Sequence, residues 1–147
     1  MKAEFEKYLE TVGMTGILIA RVEEFYKIYE SLCPEEITGL FISEYRTSEG
    51  VREYEEVAFF SSNYIMASER FVQKDEFNMA FWGKSIHWWE IRSQDYDFKN
   101  ATDKSRMSIE YTTVSGVSGD FKASGGNVTY LHQVFVQFFL PNMKGPE

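Results

Sequence analysis

Residues 125–141 read GGNVTYLHQVFVQFFLP, and whether this run is a helix or a strand decides the architecture of the whole chain. Val and Phe favour strands, so the run could serve as an eighth strand. Its apolar residues nevertheless recur at helical spacing: Leu131, Val134, Phe135, Phe138 and Phe139 lie three and four apart, on one face. Asn127 stands where a helix cap is needed, Gly125 and Gly126 supply the corner before it, and Pro141 stops the run. These signals favour a helix over 128–139, with a strand as the alternative.

Upstream, the hydrophobic period falls toward two and turn residues arrive every eight to twelve positions, the rhythm of an antiparallel meander. Seven strands are predicted, over 37–46, 52–61, 64–71, 76–82, 85–93, 106–114 and 120–124. The connections TSEG, SSN, VQKD, GK and SGVSG carry the Gly, Asn, Ser and Asp that tight turns require. Before the strands, Leu18, Val22, Phe25, Tyr29 and Leu32 lay an apolar stripe along a helix. Gly13 and Gly16 separate it from a shorter first helix, and Pro34 ends it. The chain therefore divides into an N-terminal helical segment, 1–36, and a β-rich domain with a closing helix, 37–147.

Seven antiparallel strands followed by one amphipathic helix resembles the pleckstrin-homology-like fold, and the local text agrees. VAFFSSNYIMAS is similar to the strand–turn–strand of bacterial pleckstrin-homology and GRAM-type domains. SIHWWEIRS resembles their fifth strand, and SRMSIEYT, GDFKAS and GGNVTYLHQVFVQFF resemble the sixth strand, the seventh strand and the closing helix. The resemblance covers about residues 37–140. It implies an α+β chain built on a seven-stranded antiparallel barrel of two orthogonal sheets, capped by the C-terminal helix and preceded by the N-terminal helices. It also implies a non-enzymatic interaction module that binds a protein partner or self-assembles as a homo-oligomer. The phosphoinositide-binding pattern of the family transfers poorly, because Arg46 and Arg52 sit among Glu44, Glu49, Glu53, Glu55 and Glu56.

Composition narrows the partners. The 147 residues carry a net charge of −8, shared between residues 1–36 and 37–147, which disfavours nucleic acid and anionic membranes. Aromatic residues make up 17% of the chain, enough for a thick core or an adhesive surface. A single cysteine, Cys33, excludes an internal disulfide and suits the cytoplasm. MKAEFEKYLE does not read as a secretory signal, and GILIA at 16–20 is far shorter than the roughly 20 residues a membrane span needs.

Catalytic and metal signatures are missing from the sequence, and no catalytic residue, metal or cofactor is expected. His87 and His132 have no triad pattern around them, and Cys33 has no histidine nearby in sequence. Asp95, Asp97 and Asp103 share a polar loop without calcium-loop spacing. Glu23-Glu24 and Glu55-Glu56 are adjacent, so neither pair shares a face; both read as solvated. The aromatics remain. Trp88 and Trp89 are neighbours in a strand, so only one can face a core. A bulge near 88–90 would turn Ile86, Trp88 and Ile91 inward and leave His87 and Trp89 outward, beneath the N-terminal helix. His87, Trp89, Phe25 and Tyr29 are thus the expected partner-binding residues. The alternative is a small-molecule site, or an unrecognised enzyme, with a pocket lined by Trp82, His87 and Trp89.

Overall fold

The computed structural model describes residues 1–73, 77–93 and 97–143. Two helices, α1 (Ala3–Thr11) and α2 (Gly16–Leu32), precede seven strands: β1 (Gly39–Arg46), β2 (Arg52–Phe60), β3 (Tyr64–Glu69), β4 (Ala80–Gly83), β5 (Ile86–Ser93), β6 (Arg106–Thr113) and β7 (Ser118–Ser124). Helix α3 (Asn127–Val134) follows and runs on through a π-helical turn, Phe135–Phe139, into a 3-10 turn, Leu140–Asn142. The fold is α+β, with one antiparallel sheet ordered β1-β2-β3-β4 and a second ordered β5-β6-β7. The fourth strand starts later than the expected 76, and residue 76 itself lies outside the described residues, as do 144–147 at the end of the expected domain. No described helix is long and apolar enough to cross a membrane.

Residues 127–142 are helical, as the spacing of 128–139 requires, and Gly125 and Gly126 form the turn before them. Leu131, Val134, Phe135, Phe138 and Phe139 are all buried. Phe138 stacks on Phe60 at 4.8 Å and lies so close to β1 that a Cβ on Gly39 would stand 2.4 Å from its ring, which is why glycine begins that strand. Asn127 does not cap the helix. It is the first helical residue, and its side-chain amide donates instead to the Ile42 carbonyl at 2.9 Å.

The expected barrel does not close. The sheets of four and three strands stay separate, and the reason is visible where β1 runs beside β7. There the backbone N–H groups of Lys122 and Ser124 donate to side chains, Ser43 Oγ at 2.9 Å and Glu44 Oε1 at 3.0 Å, instead of to strand carbonyls. The Tyr8 hydroxyl and the Asn127 amide likewise occupy the Ile42 N–H and C=O. Side chains stitch this seam in place of a ladder. Arg46 and Arg52 are both engaged within the chain: Arg46 Nε donates to Ser124 Oγ, and Arg52 donates to the Val12 carbonyl while standing 3.7 Å from the buried Glu44 carboxylate.

Both faces of the larger sheet are covered, so β2 and β3 are apolar on both sides. Phe41 and Phe60 point inward to Phe121 of β7. On the other face Tyr26 and Tyr29 of α2 meet Phe59, and the Tyr29 hydroxyl donates to the Ala67 carbonyl at 2.6 Å. Residues of α1 and α2 thus share one core cluster with the strands.

The tryptophan assignment reverses. The bulge lies at His87, between Ile86↔Thr113 and Trp88↔Thr112, earlier than expected. Alternation restarts after it, so Trp89, Ile91 and Ser93 oppose Tyr111, Ile109 and Met107, which are buried. Trp89 packs edge-on against Phe135 at 4.6 Å, so the C-terminal helix covers it and not α2. Trp88 is the outward ring, 45% exposed.

Candidate functional site: a cleft between the sheets

The inner face of the larger sheet carries Phe60, Ala58 and Glu56 along β2, then Ile65, Ala67 and Glu69 along β3, then Trp82 and Ala80 along β4, because the ladders pair these residues. The smaller sheet opposes them with Tyr111 of β6 and Gly119 and Asp120 of β7. Between the two runs a cleft of about 610 Å³, whose other walls include Asn78, Phe81 and Ser118.

Three polar groups face this cleft without a hydrogen-bond partner among the described residues. Trp82 Nε1 is buried and has no hydrogen-bond acceptor. Tyr111 is only 2% exposed, and among the described residues its hydroxyl makes no hydrogen bond. It lies over Gly119, where a Cβ would come within 2.6 Å of the phenolic oxygen, so glycine is what leaves it room. The Glu56 carboxyl is the third, with no hydrogen bond among the described residues. A buried polar group left unmade costs about 1–3 kcal/mol, and the Trp82 N–H carries that cost here, while the Tyr111 and Glu56 oxygens stand open beside it.

Charge sharpens the picture. Glu56 stands directly opposite Glu69 across the β2–β3 ladder. Burial first, then Glu69, Asp120 and Glu55, push the Glu56 carboxyl up to about 8, so it is largely protonated at neutral pH. Burial also raises Tyr111, with Glu56 and Asp120 adding to the effect, so its phenol remains a donor. Two cations stand at the margins: Lys122 Nζ reaches Glu55 at 3.3 Å and Asp120 at 3.9 Å, and Arg70 borders a neighbouring hollow of about 390 Å³ that shares Glu56, Glu69 and Asp120. Another hollow of about 390 Å³, lined by Glu44, Arg92 and Lys122 among others, is built from groups already paired inside the chain.

The expected site residues do not converge. Phe25 and Tyr29 lie in the core under the chain's own sheet. His87 is exposed on its bulge, and Trp89 is taken up by Phe135. Of Trp82, His87 and Trp89, only Trp82 lines the cleft. His132 lies against Phe98, Cys33 is half-buried, and among the described residues no group of His, Cys, Asp and Glu is placed to hold a metal. Asp97 accepts from Asn100, while Asp95 lies outside the described residues.

The sequence reading missed Glu56, and a signal for it existed. Two adjacent acids on a strand point to opposite faces, and β2 continues into Val57–Phe60, buried on both faces, so one of Glu55 and Glu56 had to turn inward.

No family model, no curated protein and no solved structure matches the chain.

Proposed function

We propose that this chain is a binding module, without turnover, that admits a small molecule to the cleft between its sheets. One observation carries the reading: the Trp82 indole N–H, the Tyr111 hydroxyl and the Glu56 carboxyl all line one cavity, and among the described residues none of them makes a hydrogen bond. Binding sites have this character, with largely apolar walls and a few polar groups that fix orientation. The order of seven strands and a closing helix supports grouping the chain with pleckstrin-homology-like domains. The acidic composition and lone thiol support a cytoplasmic setting away from nucleic acid. A second reading, binding of a protein partner or self-assembly, is favoured by the outer edge of β5. Among the described residues that edge carries only the Ile86–Met143 bridge, and Trp88 stands exposed beside it.

The three indole N–H signals in a two-dimensional proton–nitrogen NMR spectrum separate the readings, with Trp82→Phe and Trp88→Phe fixing the assignments. A mixture of small amines, amides and alcohols is expected to move the Trp82 signal and leave Trp88 in place. A Trp88 signal that moves with protein concentration, with Trp82 unresponsive to the mixture, would overturn the cleft reading in favour of self-association.

A further inference from the structure

The chemistry of the cleft restricts what can occupy it. Its titratable groups are Glu56 from β2, Glu69 from β3, Tyr111 from β6 and Asp120 from β7, with Glu55 behind Glu56. Arg70 borders only the neighbouring hollow, Lys122 reaches Glu55 and Asp120 from the separate hollow beside Glu44 and Arg92, and among the described residues no cationic side chain lines the cleft itself. An anion entering here would add to carboxylates that already repel one another. A cation would relieve them, and the rings of Trp82 and Tyr111 offer it aromatic surface. The Trp82 N–H can only donate, so the same ligand must also bring an acceptor.

We propose, on the basis of the binding reading above, that the cleft takes an organic cation that carries a hydrogen-bond acceptor: an alkylammonium bearing a carbonyl or hydroxyl oxygen. The ammonium lies among Glu56, Glu69 and Asp120, and the acceptor oxygen receives the Trp82 N–H. Tyr111, held over Gly119, is a neutral group able to serve either end. Because an alkylammonium stays protonated to about pH 10, ionisation of Glu56 tightens the complex as pH rises.

The test is calorimetric titration of the intact chain with three compounds of equal length: N-acetylputrescine, the alcohol that replaces its amine, and the carboxylate that replaces it. The cation is expected to bind, roughly tenfold more tightly near pH 9 than near pH 7, with the alcohol at least about tenfold weaker and the carboxylate undetectable. Glu56→Gln removes the pH dependence, and Trp82→Phe, which keeps a ring but no donor, weakens binding about fivefold. Glu69 is exposed, so Glu69→Gln leaves the fold intact while lowering cation affinity about threefold. Equal binding of alcohol and cation, still sensitive to Trp82→Phe, would overturn the cation inference and leave the binding reading standing. Failure of all three compounds to bind would overturn both.

Discussion

Tyr8 joins three parts of the molecule through one hydroxyl. Its oxygen accepts the Ile42 N–H of β1 at 3.0 Å and donates to Asn127 Oδ1 of α3 at 2.7 Å, and burial raises the phenol far above the pH range where it could ionise. Replacing it by Phe keeps the ring and strands two buried partners. Tyr8→Phe is therefore expected to cost about 2–3 kcal/mol in urea unfolding, several times the effect of a surface change. Nothing in the local sequence announces this role, because Tyr8 and Asn127 are 119 residues apart and each has an ordinary local reading, helix face and helix cap. The two tryptophans teach the same lesson at short range. Adjacency proves that Trp88 and Trp89 face opposite ways, but the side each takes depends on the bulge, and moving the bulge to His87 exchanges their roles.

At the level of elements, legibility was high wherever a period ran for a full strand or helix. The seven strands and three helices follow from alternation, from three-four spacing and from Pro34, Gly13 and Gly16, since each of these acts on its neighbours in sequence. What covers what was not legible, because apolar stripes do not name their partners. The stripe on α2 lies on the outer face of the larger sheet, against Phe59, and not over Trp89. This contact makes the helices part of the sheet's support. Removing residues 1–33 would uncover Phe59, Ile42 and Met66, a face too apolar to stand in water. The shortened chain is expected to partition into the insoluble fraction or to scatter light as large assemblies. A monodisperse, cooperatively unfolding product would show that the strands and α3 suffice.

For the whole molecule, two ionisable groups shifted by burial set opposing slopes of stability against pH. Glu56, at the cleft, has its carboxyl raised from 4.5 to about 8. The folded chain holds that proton while the unfolded chain has released it, so stability falls as pH rises through this interval. Lys84, in the β4–β5 connection, donates to the Ser61 carbonyl and lies 4.6 Å from the Phe138 ring; burial lowers it from 10.5 to about 8, with Glu35 pulling the other way. Here the unfolded chain holds the proton that the folded chain has lost, so stability rises from about 8 toward 10.5. The two limbs meet, and the protein is expected to be least stable near pH 8, with flanks higher by on the order of 2 kcal/mol once solvent screening is allowed for. Above about pH 10 the buried tyrosines, all raised, turn the curve down again because the unfolded chain ionises first. Urea unfolding across a pH series checks this shape. Glu56→Gln should flatten the lower limb alone and Lys84→Met the upper limb alone, since each removes one titration. A single broad maximum near neutrality would mean that neither group is held from its ordinary ionisation. The proposed cationic ligand would act on the same limb: because it favours ionised Glu56, its stabilisation, RT ln(1 + L/Kd) at free ligand concentration L, grows as pH rises through about 8 and so makes the minimum shallower on its alkaline side.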